Sequence, residues 1–120
     1  MIETKKTKMD YSCKHLIIEL YGCETDRATD EKYVEKIMRD SAVQTDATVT
    51  DSLFTKQGEG VMGAVFLTEG SYTVHTQPNG YVGLDLHTRE NIDSEKALVF
   101  LVRKFGAEKY SASEIKRGER

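Results

Sequence analysis

Apolar residues recur at every second position in the segment KHLIIELYG (residues 14–22), where Leu16, Ile18 and Leu20 share one side. A period of two predicts a strand with one buried face. Residues 23–30 are polar and read as a connection, with Thr29 or Asp30 placed to cap a helix over 31–42. Within that helix Tyr33, Val34, Ile37, Met38 and Ala42 form one apolar stripe. Residues 46–55 are rich in β-branched side chains and predict a second strand, followed by a loop over 56–60. The run VMGAVFLTE (residues 61–69) is almost continuously apolar, the pattern of a strand at the centre of a sheet. Two more strands are predicted over 71–77 and 81–88. Pro78, Asn79 and Gly80 lie between them, a pair-forming turn in which Asn-Gly supplies positive φ angles. Ala97, Leu98, Leu101, Val102 and Phe105 stripe a second helix over 93–105 that Gly106 stops, and 109–115 reads as a last strand.

The order β-α-β-β-β-β-α-β, with consecutive strands in the middle, predicts an α+β two-layer sandwich: a mostly antiparallel sheet with two helices on one face. Residues 1–12 are expected to be a flexible N-terminus and 13–118 a single domain. Two helices cover one sheet face. The other is expected to be partly apolar and to pack on a second subunit, making a homodimer or higher oligomer.

Composition mainly excludes. The 120 residues suffice for one core. A net charge of −3 argues against a nucleic-acid partner, which calls for a basic excess. No apolar run approaches the roughly 20 residues of a membrane span, and the charged N-terminus does not read as a secretory signal. Two cysteines, Cys13 and Cys23, support neither a disulfide framework nor a zinc site, so a reduced, cytoplasmic chain without metal is expected.

The segments KHLIIELYGC (14–23), ATVTDSLF (47–54), GVMGAVFLTE (60–69), VHTQPNGYVGLDLHT (74–88) and IKRG (115–118) resemble, in this order, the short bacterial and archaeal S-adenosylmethionine decarboxylase proenzymes. The resemblance implies an α/β sandwich associating through sheets. It also implies a proenzyme whose serine, after the Glu of the central block, attacks the preceding carbonyl and leaves a pyruvoyl group. That group serves as the electron sink for decarboxylation of S-adenosylmethionine.

This chain departs from the family where that chemistry resides. Aligned without a gap, the serine position is Gly70, which has no hydroxyl. The serine of the family's G-V-S-G is Met62, and the proton-donating cysteine of its D-L-F-T-C-G is Arg89, a poor acid. His75 alone matches, as the processing histidine. Ser71 lies one residue beyond the expected position and is the candidate for shifted processing, so pyruvoyl is expected only if Ser71 is processed. Other departures fall in the loop 56–60 and in HTQPNGY (75–81), which is one residue short and lacks an acidic residue.

The expected function is therefore an S-adenosylmethionine-binding protein that cleaves its ligand without pyruvoyl. Lyase chemistry would give methylthioadenosine and homoserine lactone, with Glu69 and His75 as catalytic candidates and Phe54, Tyr72 and Tyr81 as substrate-binding aromatics. Two alternatives stand beside it: an inactive ligand-binding or regulatory paralogue, and a pyruvoyl-dependent decarboxylase self-processed at Ser71. His15 and His87 fall singly on separate strands, Asp85 alternates with Leu84 and Leu86, Cys23 reads as a buried structural thiol, and Cys13 has no assigned role.

Overall fold

The computed structural model describes residues 11–119. The elements are β1 (Tyr11–Tyr21), α1 (Thr25–Ala28), α2 (Glu31–Gln44), β2 (Val49–Gln57), β3 (Gly60–Leu67), β4 (Gly70–Thr76), β5 (Val82–Arg89), α3 (Ser94–Phe105) and β6 (Lys109–Glu119). The strands form one antiparallel sheet in the order β2-β3-β4-β5-β1-β6, the expected α+β architecture. Residues 1–10 of the expected flexible N-terminus lie outside the described residues, whereas Tyr11 and Ser12 already belong to β1. Among the described residues no helix is long and apolar enough to cross a membrane.

The core lies between the sheet and the helix pair α2 and α3. Leu16, Ile18 and Leu20 of β1, Tyr72 and Val74 of β4, and Leu84 and Leu86 of β5 point into it. They meet Val34, Ile37 and Met38 of α2 and Leu101 and Phe105 of α3. Asp30 is the cap of α2, accepting from the Lys32 and Tyr33 amides at 3.1 and 3.2 Å.

Two expectations need correction. The apolar run of β3 is not the sheet centre; β4 and β5 are, and β3 lies one strand in from the β2 edge. Its continuity has another cause. Val61, Val65 and Leu67 fill the core, while Met62 and Phe66 stand on the opposite face, 41% and 44% exposed. The second correction concerns residues 78–80. Gly80 has φ 92° but Asn79 does not have a positive φ, so this is a three-residue loop closed by Gln77 N–H donating to the Tyr81 carbonyl at 2.9 Å. The one-turn α1 inside the polar connection 23–30 carries no apolar periodicity that would announce it.

Both long helices end in the same way. At α3 the Gly106 amide donates to the Arg103 carbonyl and the Ala107 amide to Val102, with Gly106 at φ 65°. At α2 the Asp46 amide donates to Val43 and the Ala47 amide to Ala42, with Asp46 at φ 61°. This paired bonding around a left-handed residue favours glycine, because a Cβ there crowds the following carbonyl. Asp46→Gly is therefore expected to stabilise the fold by about 0.5–1 kcal/mol and to raise Tm by a few degrees in a thermal melt.

Candidate functional site on the open face of the sheet

Strand parity sorts the candidate residues. In β4 Tyr72, Val74 and Thr76 are buried under the helices, so Ser71, Thr73 and His75 project from the uncovered face. In β5 the buried set is Val82, Leu84, Leu86 and Thr88, leaving Asp85, His87 and Arg89 on the open side. In β1 the open side carries Cys13, His15, Ile17 and Glu19. The antiparallel register then aligns these residues in rows. One row runs Phe66, Ser71, His87, His15; the next runs Leu53, Ala64, Thr73, Asp85, Ile17; a third runs Thr55, Met62, His75, Gly83, Glu19. All three histidines of the chain thus lie on one face, although they come from three strands.

The face is apolar at one end and polar at the other. Leu53 is 71% exposed and, with Met62, Ala64 and Phe66, forms an apolar cleft of about 400 Å³ that Thr73, His75 and Asp85 also line. Beyond the cleft, His15 Nε2 lies 2.9 Å from Asp85 Oδ1, and the His15 and His87 rings meet edge to face with centroids 5.9 Å apart. Tyr81 folds over Gly83, where any Cβ would sit 2.6 Å from its hydroxyl. The Tyr81 hydroxyl donates to the Glu19 carboxylate, and this bond to an anion pushes its pKa up to about 12.

The sequence candidates are only partly brought together. Ser71 and His75 share the open face with Tyr81, and His75 lines the cleft. Tyr72 is fully buried on the opposite face. The Thr45 hydroxyl donates to the Ala42 carbonyl at 2.7 Å, so at 3.3 Å it is the acceptor for the Tyr72 hydroxyl. Burial pushes the Tyr72 phenol above its ordinary value. Phe54 also faces the helices, its ring occupying the space where a Gly63 Cβ would be, 2.2 Å from the nearest ring carbon. Neither ring can stack on a ligand held by the open face. Glu69 sits in the two-residue turn between β3 and β4, and its Oε1 accepts the Thr48 amide at 2.9 Å, a bond that ties this hairpin to the start of β2.

Cys23 is buried, and desolvation pushes its thiol up to about 11, which suits a structural role. Cys13 is directly opposite Arg89 in the β1–β5 pair. Among the described residues no group of three or more His, Cys, Asp or Glu side chains is arranged to hold a metal ion. Sequence reasoning missed the convergence of His15, His87, Asp85 and Glu19. The signal that finds it is parity: each alternates with a residue of the buried face.

Position 70 is decisive for the pyruvoyl group that the resemblance implies. Gly70 has φ 153°, and a Cβ built there would lie 2.0 Å from the His87 carbonyl oxygen of the paired strand. The site lacks both the hydroxyl and the room for a side chain, so this backbone does not fit a serine-derived group at residue 70.

Comparison with known proteins agrees with the fold and with the resemblance. The family model for S-adenosylmethionine decarboxylase matches residues 14–118. The S-adenosylmethionine decarboxylase proenzyme of Clostridium kluyveri is 36% identical over 108 residues, covering 88% of this chain and 86% of that protein. The proenzyme of Carboxydothermus hydrogenoformans is 39% identical over 108 residues, covering 88% and 85%. The crystal structure of the adenosylmethionine decarboxylase from Aquifex aeolicus superposes with a TM-score of 0.82 at 16% identity, over 90% of this chain and 92% of that one, a likeness of fold. On its sequence, this chain belongs to the S-adenosylmethionine decarboxylase family.

Proposed function

We propose that this chain binds S-adenosylmethionine on the open face and cleaves it without pyruvoyl. The observation that carries this reading is Gly70: the position that supplies the family's prosthetic group has no hydroxyl and no space for one. The substrate is a sulfonium, so one of its own C–S bonds is already activated. Its carboxylate attacks its own γ-carbon and the C–S bond breaks with the electron pair going to sulfur. Methylthioadenosine and homoserine lactone leave, and charge and atoms balance without a proton donor or electron sink. What the protein must supply is a bent conformation, a contribution of several kcal/mol by proximity.

The cleft suits the two halves of such a ligand. Phe66, Met62 and Leu53 offer apolar surface to the nucleoside, and Asp85 with His75 faces the amino-acid end. Asp85 is the carboxylate lining the cleft and takes the ammonium. Glu69, tied to Thr48, positions the hairpin end. Ile115, opposite His15 in the β1–β6 pair and 47% exposed, extends the apolar surface beyond the cleft and suits burial against a second copy of the chain, as a homo-oligomer.

The alternative, a ligand-binding protein without turnover, shares the same cleft, and one experiment separates them. Purified protein incubated with S-adenosylmethionine is expected to keep a single uncut chain of 13.6 kDa by intact mass and to release methylthioadenosine. Asp85→Asn is expected to slow release about 10- to 100-fold, the loss typical of one charge-assisted bond, and Glu69→Gln only a few-fold. Thermal stabilisation by the ligand with no methylthioadenosine would establish the binder instead. Two chains cut at Gly70–Ser71 would establish processing at Ser71. Gly70→Ser is expected to destabilise the fold and to remain uncut, because the new Cβ meets backbone rather than a movable side chain.

A further inference from the structure

Ser71 and His87 are directly opposite in the β4–β5 pair and project from the same open face. Side chains so placed have Cβ atoms about 4.5–5.5 Å apart, within reach of a hydroxyl-to-imidazole hydrogen bond after a rotamer change. The close backbone approach at Gly70, where only a hydrogen fits against the His87 carbonyl, holds the two strands in this relation. Among the described residues neither the Ser71 hydroxyl nor the His87 imidazole makes a hydrogen bond, and the His87 ring lies against His15. Asp85 holds His15 at 2.9 Å, and the His15 ring borders His87 edge-on at 64°, with centroids 5.9 Å apart. On its other side Ser71 is paired with Phe66, which lines the apolar cleft. A serine with an imidazole on one flank and an apolar cleft on the other has the parts of nucleophilic acyl transfer: a hydroxyl, a base, an orienting neighbour and a place for the acyl group.

We propose that Ser71 is a nucleophile activated by His87 as general base, acting on small apolar esters and phosphoryl fluorides bound in the cleft. The Ser71 oxygen bonds to the electrophilic carbon or phosphorus while its proton passes to His87. The ester's alcohol leaves with that proton; from a phosphoryl fluoride the leaving group is fluoride. The acyl-serine is then hydrolysed by water, whereas the phosphoryl-serine persists. His15 and Asp85 are positioning residues. This activity goes beyond the cleavage of a sulfonium and needs no part of it.

The test is covalent labelling of the full-length chain with diisopropyl fluorophosphate, mapped by peptide mass spectrometry and timed. One label per chain on Ser71 is expected, absent in Ser71→Ala. His87→Phe is expected to label about 100-fold more slowly, the usual contribution of a positioned base, with a Tm near that of the parent. His87→Gln provides a second variant if the phenylalanine disturbs the face. Asp85→Asn should shift the pH profile of labelling rather than abolish it, which a purely structural role would not do. Labelling elsewhere, no labelling, or equal rates in the parent and both His87 variants would overturn the proposal. Labelling of Ser71 in a chain that is inert towards S-adenosylmethionine would overturn the lyase reading alone.

Discussion

Everything at the site depends on one asymmetry: a six-stranded sheet sealed by helices on one side only. Strand residues alternate between the two faces, so burying Tyr72, Leu84, Leu86, Ile18 and Leu16 beneath α2 and α3 forces their neighbours outward. Ser71, Asp85, His87, His15 and Glu19 hold their places for that reason. A slip of one residue between β4 and β5 would bury these polar groups and expose the core. The register is therefore fixed by the hydrophobic effect acting on the opposite face, and the arrangement of the candidate site follows from the core.

The second constraint is the contact between Gly70 and the carbonyl of His87. The hairpin formed by β3 and β4 turns through Thr68 and Glu69 and returns directly onto β5, and Glu69 closes it by accepting the Thr48 amide. The resemblance implies that the residue from which the prosthetic group is made would stand at this position. Here the backbones have closed over it. A missing hydroxyl alone is a one-residue difference, but the missing volume involves two strands. The chain keeps the family's fold, and at residue 70 it has neither the hydroxyl nor the volume that the resemblance would place there.

Much of the fold was legible in one dimension. The stripes of α2 and α3, the alternation in β1, and the order of elements all appear as periodicities, because each reflects burial of one face. β3 misled because an apolar run signals burial on both faces, whereas its outward half, Met62 and Phe66, lines a cleft. Of the candidate residues, Ser71, His75 and Tyr81 face the site. Phe54 and Tyr72 do not, since an aromatic residue on a strand reads the same whichever way it points. The 78–80 turn differed because a third loop residue lets Gly80 alone take the positive φ angle.

By itself the sequence determined the family, the α+β class, the absence of a hydroxyl at residue 70 and the identity of every polar side chain available for chemistry. These are properties of residue type and spacing. Only the tertiary structure decided which of those side chains meet. His15 and His87 are 72 positions apart in the chain yet pair across β1 and β5, and Ser71 faces His87 because antiparallel register fixes both. The lack of room at Gly70 was also invisible in the chain, since the atom that fills that space belongs to another strand.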